Sequence, residues 1–536
     1  MSALSGLDIA IIAASIVLVV CVGYMASRNQ DKSARGYFLA SGRMPWYIIG
    51  AAFVSTSVSS EQIVGTVGKA YKTGMGVANW EWWSLPVYSL LIVFFIPMFL
   101  RNRITTIPEF LKRRFGVLCS DIYSWVMLLA YVFIFMVPVL YGGSLAFSAL
   151  TGWNFYLVLW AIVLLIGSYA IKGGLASVMW ADAVQCAMLV GGGVLLFFLA
   201  LNKIPGGWHA MEVATPGRFH LYHPANDPVA PFLGIIAGSM GLFIFYQAAN
   251  QVMIQRVLGA RSQWDGMMGI VFAGLINMFR PLVTCFLGLI VFHWINVMHQ
   301  GTPLDNPDKT FPFAMQVFAP EWGLRGIILA GFIAAVMSAT SAVANSAATI
   351  FSLDVYRRVF EPTASDRKLV AVGRAAVVAA LVIAALVAPS VERLGGIFTY
   401  FQTGVTYLAT PFITVILVGM FWKRANYASA VFGLIGGIII TLMLAVGIPM
   451  FCRVLGVQPL HWLYIGFIAE VLIAMGMVVV ASATPAPAPE QWEPFLWSPA
   501  HLKKIGDGTP RPWYQSLSLW FGVYAVVWIA CYWRFW

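Results

Sequence analysis

The sequence predicts an all-α integral membrane protein with about fourteen transmembrane helices, and three observations carry that expectation. Of its 536 residues, 60% are hydrophobic and only 10% charged, and the mean hydropathy is +0.82. That leaves too few charges to cover a soluble globule of this size. Fourteen apolar stretches are long enough to cross a bilayer: roughly 6–26, 45–70, 80–100, 117–147, 153–171, 178–201, 229–255, 267–297, 323–352, 369–389, 395–421, 427–449, 459–482 and 514–533. The second and the seventh of these are interrupted midway by polar runs. Discontinuous helices at matching positions point to inverted repeats around a mid-membrane site. Their spacing gives a 5+5 inverted repeat with additional helices.

The chain therefore reads as a single transmembrane unit, 1–536. An extra helix occupies 6–26, a first repeat 45–201, a second 229–421, and additional helices fill 427–536, including a Pro-rich cytoplasmic linker at 483–512. The first stretch has no basic region before it and no small-residue cleavage site after it, so it reads as a retained helix rather than a signal peptide. Basic loops stay on the cytoplasmic side. With both termini outside, 22 of the 32 Lys and Arg residues fall in inner connections, Arg256 and Arg261 among them, and Arg280 falls within a span. The net charge of +11 then reflects inner loops rather than a nucleic-acid footprint.

The second stretch carries Ser55-Thr-Ser-Val-Ser-Ser-Glu-Gln62, five hydroxyls and a carboxylate inside a span. Such groups cost free energy in lipid and face a partner, a cavity or a permeating solute. Gly50, Gly65 and Gly68 suggest that this helix breaks near mid-membrane. The third stretch opens Asn79-Trp-Glu-Trp-Trp-Ser84, where the tryptophans read as an aromatic belt and Glu81 needs a further explanation. Asp182 lies in the first turns of the sixth stretch, either stabilised by the helix dipole or functional. The seventh carries Phe243, Tyr246, Gln247, Asn250 and Gln251.

In the ninth stretch Ser338, Ser341 and Asn345 share one face. They either bond to neighbouring turns or supply oxygens to a hard cation such as sodium. Gln402 and Glu470 are the remaining isolated polar groups. Six cysteines without a Cys-x-x-Cys pair read as packing residues, and His209, His220 and His223 lack carboxylates at metal-ligand spacing. With no phosphate-binding loop, zinc signature or catalytic triad spacing, an enzyme is not expected.

Seven motifs together resemble the sodium/solute symporter family and, within it, the sodium/sugar cotransporter group. They are "YFLASGRMPWYIIGAA", Ser59-Ser60-Glu61-Gln62, Trp80-Glu81-Trp82, "TIPEFLKRRFG", Gly173-Gly174 followed by Trp180-x-Asp182-x-x-Gln185, Asn250-Gln251 with Gln255-Arg256, and "NSAATIFSLDVY". The similarity runs from about residue 5 to 425.

The resemblance implies a LeuT-type inverted-repeat fold and Na+-coupled import of a sugar or similar polyhydroxylated solute by alternating access. It assigns the sodium ion to backbone carbonyls of Ser55, Val58 and Ala335 and the hydroxyl of Ser338, with Asp182 beside the ion path. The family's usual second serine is Ala339 here, which puts the strength of sodium binding in question. The matching solute positions are Gln62, Glu81, Ser84 and Gln402, with Ser57, Phe243 and Asn277 departing from the sugar-contact pattern. Tyr246 would close the inner side, and Thr66, Trp80 and Phe398 the outer.

Arg280 is a further departure: in a span it requires a partner, either an acid such as Glu81 or Glu470 or the carboxylate of an anionic sugar. The alternatives are a symporter for a sugar acid, inositol or other small metabolite with weakened sodium dependence, and a membrane solute sensor. The lack of an appended signalling domain after Trp536 counts against the sensor. Expected partners are the solute, a sugar by resemblance, and membrane lipid, with no nucleic acid. The bacterial inner membrane is the expected location, and oligomeric state stays open.

Overall fold

The computed structural model describes residues 4–28, 33–227, 231–320, 323–394, 397–504 and 511–536. Apart from an isolated Met44–Ala260 bridge, these residues form helices and connecting loops. Among them, eleven helices are long and apolar enough to cross a membrane, and twelve if the bent pair Phe232–Gly238 and Met240–Ala249 is one span. The second and fifth predicted stretches contain the shorter apolar helices Trp46–Ser57 and Phe155–Ile171. Each is cut short by a backbone break, at Val58 and at Gly174 (φ 56°, ψ −161°) respectively.

The second span is a helix from Trp46 to Ser57, an extended residue at Val58 (φ −115°, ψ 109°), then a π-helical turn over Glu61–Thr66 continued by Val67–Thr73. Its chemistry favours the break: the Ser57 hydroxyl bonds back to the Val54 carbonyl at 2.9 Å, competing with the helical ladder. The seventh span repeats the pattern. Phe232–Ile244 passes through a π-helical turn, Phe245–Ala249, to an extended Asn250 (φ −94°, ψ 127°) and restarts as Gln251–Leu258. The Asn250 side chain caps the new helix by accepting from the Val252 amide at 3.1 Å. Tyr131 and Tyr123 donate to Asn250 Oδ1 and the Ala249 carbonyl at 2.7 and 2.8 Å, satisfying groups that the break frees.

Gly50 and Gly68 do not make the break of the second span. A Cβ on Gly50 would lie 2.5 Å from the Gly269 carbonyl oxygen, and one on Gly68 would strike the Pro307 backbone. They are small because other backbones approach there, as at membrane helix interfaces generally. The Trp46–Ser57 helix thus packs closely on Gln263–Asn277, and also touches the Leu324–Thr349 helix and the long Phe155–Leu201 element. Leu324–Thr349 is enclosed along nearly its whole length and forms the centre of the bundle.

Both ends of the described chain are tied down: Asp8 Oδ1 accepts from the Gly326 amide at 2.8 Å, and Arg534 pairs with Glu212 in the 202–227 connection at 2.7 Å. That connection reaches the C-terminal end of the second span, where Arg218 donates to the Ala70 and Tyr71 carbonyls.

Candidate functional site

Asp182 is completely buried and gathers three helices around its carboxylate. Its Oδ1 accepts from the Ser338 hydroxyl at 2.7 Å, while Oδ2 accepts from Arg256 Nη2 at 3.1 Å and, more weakly, from Thr56 Oγ1 at 3.4 Å. The sequence reading placed Arg256 in an inner connection; it is instead 1% exposed, inside the helix that restarts after Asn250. A buried guanidinium requires this partner, and the hydrogen bonds offset part of the desolvation cost of the pair. The aspartate is therefore held by an ion pair rather than by a helix dipole alone.

The Ser338 hydroxyl spends its proton on Asp182, which leaves its lone pairs as the groups that can meet a cation. Ser341 donates to the Ser338 carbonyl at 3.0 Å, and the Ser55 and Thr340 hydroxyls are buried without hydrogen-bond partners. The extended Val58 ends the Trp46–Ser57 helix, so its last carbonyls lose their amide partners. Uncharged oxygens from two facing helices are the donor set a hard monovalent cation takes, and the residues present fit sodium. Ala339 adds no oxygen.

On the other side of the break lies a narrow cavity of about 40 Å³. Ser57, Gln62, Trp80, Phe243, Tyr246, Arg280 and Gln402 from the predicted set line it, together with Gln247, Leu242, Phe401 and Val405. Trp80 is only 8% exposed and stacks on Trp462 (5.6 Å between centroids, 13° between planes), so it is a wall of the cavity rather than a membrane-interface anchor. Trp82 is likewise buried, between Phe286 and Phe535. Tyr246 stacks on Phe135 at 6.1 Å and meets Phe401 edge-on. Gln247, which the sequence reading placed in the polar run beside Tyr246 without assigning it to the solute, lines the cavity with its Oε1 buried and without a partner among the described residues.

Arg280 forms an ion pair with Glu81, both buried, and not with Glu470. Its Nη1 also reaches Ser57 Oγ at 3.2 Å and Asn277 Oδ1 at 3.5 Å, and its Nη2 the Ser57 carbonyl at 3.4 Å. Glu81 and Asn277 thus lie behind Arg280 and do not line the cavity, and Asn277 donates to the Tyr88 hydroxyl at 2.6 Å. Ser84 is turned away, sharing a 2.7 Å hydrogen bond with Tyr524 of the last helix. Thr66 sits one turn beyond Gln62 and donates to it at 3.5 Å. The Phe398 side chain lies outside the described residues. Glu470 packs against the backbone of Gly241.

Two broken spans enclosing a polar mid-membrane site are the architecture of secondary transporters. A model of the sodium:solute symporter family matches residues 37–437. The sodium/glucose cotransporter of Vibrio parahaemolyticus is 32% identical over 465 residues, covering 82% of this chain and 85% of its own length. The sodium/myo-inositol cotransporter of Bos taurus is 31% identical over 539 residues, covering 90% of this chain and 74% of its own. A substrate-bound, outward-open structure of a Na+-coupled sialic acid symporter superposes with a TM-score of 0.79 at 23% identity, covering 90% of this chain and 99% of that one. The chain belongs to the sodium:solute symporter family, a multi-pass integral membrane protein of LeuT-type fold, with sodium as its coupling ion.

Proposed function

We propose that this symporter imports a sugar or closely related polyhydroxylated solute together with sodium by alternating access. The observation that carries the reading is the double use of one broken helix: Thr56 faces the Asp182–Ser338 cluster while Ser57 and Gln62 face the cavity. The carbonyls of Ser55, Val58 and Ala335 and the Ser338 hydroxyl would hold the sodium ion. Gln62, Gln402 and Gln247 would donate to and accept from vicinal hydroxyls, and Trp80, Phe243 and Tyr246 would cover the C–H faces of a ring. Glucose and inositol are the solutes named for the relatives above, and both are of this chemical class.

The second reading, an anionic sugar acid, has the Arg280 guanidinium at the cavity wall in its favour. Its pairing with Glu81 speaks for the neutral solute, because a carboxylate would have to compete with that partner. The repeats would occupy 45–201 and 229–421. The basic-loop count supports both termini outside, and the relative from a bacterium supports an inner-membrane location. The protein acts as a carrier and not as an enzyme.

Counterflow of radiolabelled glucose and myo-inositol in proteoliposomes, with sodium replaced by potassium or choline, tests the reading. Accumulation of either solute that collapses without sodium is the expected result. Flux indifferent to the replacement, or binding without flux, overturns it.

A further inference from the structure

Besides the transport cavity, the bundle carries a groove of about 600 Å³ on its flank. Its floor is one stripe of the eighth span and its continuation: Trp264, Met268, Phe272, Leu275 and Phe279, spaced four, four, three and four residues apart. That spacing keeps them on a single helical face. The far wall is the last helix and the turn before it, through Trp520 and Tyr514. The groove opens outward, since Phe279 is 57% and Tyr514 55% exposed. The stripe from Trp264 to Phe279 rises roughly 22 Å at 1.5 Å per residue. One leaflet with its headgroup layer is about as thick.

One end of this groove is chemically different from the rest. Arg261 and Arg511 are its only charged lining residues among those described. Arg511 lies over the Trp264 ring, 3.8 Å from its centroid. Arg261 donates to Asp265, whose carboxylate is already buried beneath Ser262 and the Trp46 amide. Arg261 also borders a neighbouring cavity lined by Arg35, Arg101, Arg103 and His501 and by no acidic residue. Trp46, Trp264, Tyr514 and Trp520 ring the same end, as aromatic side chains do at a membrane interface.

We infer that this groove is a binding site for an anionic phospholipid of the cytoplasmic leaflet. The acyl chain lies along the Met268–Phe279 stripe, and the phosphate sits between Arg261 and Arg511. A free anion has no use for an apolar channel one leaflet long, and a zwitterionic lipid offers the guanidinium pair less net charge. Basic pockets between spans on the cytoplasmic side bind anionic headgroups in this way.

The test uses the full-length protein in detergent, with native mass spectrometry after addition of phosphatidylglycerol or phosphatidylcholine of matched chains. The wild type is expected to retain phosphatidylglycerol preferentially. Arg261→Gln with Arg511→Gln should cut that preference by about thirtyfold, the loss of two surface-lipid charge contacts. Leu275→Trp, which fills the groove and leaves both arginines, should lower retention of either lipid. Should the double variant fold poorly, Arg511→Gln alone serves, with a loss of about fivefold. Equal retention of the two lipids by the wild type overturns the inference. So does a preference unchanged by the arginine variants, or displacement of the lipid by millimolar inorganic phosphate, which would make the site one for free anions.

Discussion

Arg280 donates to both the hydroxyl and the carbonyl oxygen of Ser57, at 3.2 and 3.4 Å, the last helical residue before the break in the second span. One residue earlier, Thr56 donates to Asp182. Adjacent positions of one helix end are thereby held by a cation at the cavity and an anion on the opposite side, each charge having its own partner in Glu81 and Arg256.

Removing one member of the Arg280–Glu81 pair leaves a buried charge. Arg280→Gln is expected to destabilise the protein by about 3–5 kcal/mol and to abolish solute binding, whereas Arg280→Gln with Glu81→Gln regains most of the stability. Thermal unfolding in detergent and solute binding on the same samples check this. Stability losses that simply add would show the pair to be uncoupled.

Ser338→Ala is expected to raise the sodium concentration for half-maximal uptake by about 10- to 100-fold, the range for a lost hydrogen bond to a charged group. Solute affinity at saturating sodium should move little. Ala339→Ser, which restores the oxygen usual in the family, should lower half-saturation several-fold. Sodium titrations of uptake at fixed solute read both effects. A common shift in solute affinity without a sodium shift would place the ion elsewhere.

Gln62→Ala, Gln402→Ala and Gln247→Ala each remove a neutral hydrogen-bonding group from the cavity wall. Each should raise the KM for solute by about 3- to 10-fold, with sodium half-saturation at saturating solute nearly unchanged. A deoxy-sugar panel then assigns each amide to a hydroxyl, since the variant and the analogue lacking its partner should not lose affinity additively.

Glu470 makes no ion pair or hydrogen bond among the described residues, and its carboxyl fills the space where Gly241 lacks a side chain. Gly241→Ala should cost about 1–3 kcal/mol by overpacking, and Glu470→Ala should rescue it by making room. Glu470→Gln, which keeps the shape, should be tolerated in both stability and uptake. A Gly241→Ala defect that Glu470→Ala leaves untouched would locate the clash with another neighbour.

The broken spans were legible because polar residues stand out against an apolar background, and the runs at Ser55–Gln62 and at Tyr246–Gln251 mark where the helices unwind. The role of the glycines was not, because sequence spacing does not reveal which backbone approaches Gly50 or Gly68. Arg256 was hidden by its position near the end of an apolar stretch, where a charge reads as a loop residue; only the fold brings it to Asp182, 74 residues away in the chain. Glu81 reads as a solute contact by its place in a motif and Asn277 as a departure at a matching sugar-contact position, yet Arg280 stands between them and the cavity. That ordering depends on side-chain length and direction, which no periodicity encodes.

The last helix is joined to the third span at three levels: Tyr524 to Ser84, Trp528 to the Trp82 carbonyl, and Tyr532 to Asn79. The third span carries Trp80 and Glu81, whereas Leu517–Phe535 lies beyond the region that the family model matches. Chimeras that graft a relative's pocket onto this chain within residues 37–437 alone would therefore set a foreign wall against a native brace. Specificity transplants should move the Leu517–Phe535 helix together with the residues that it holds.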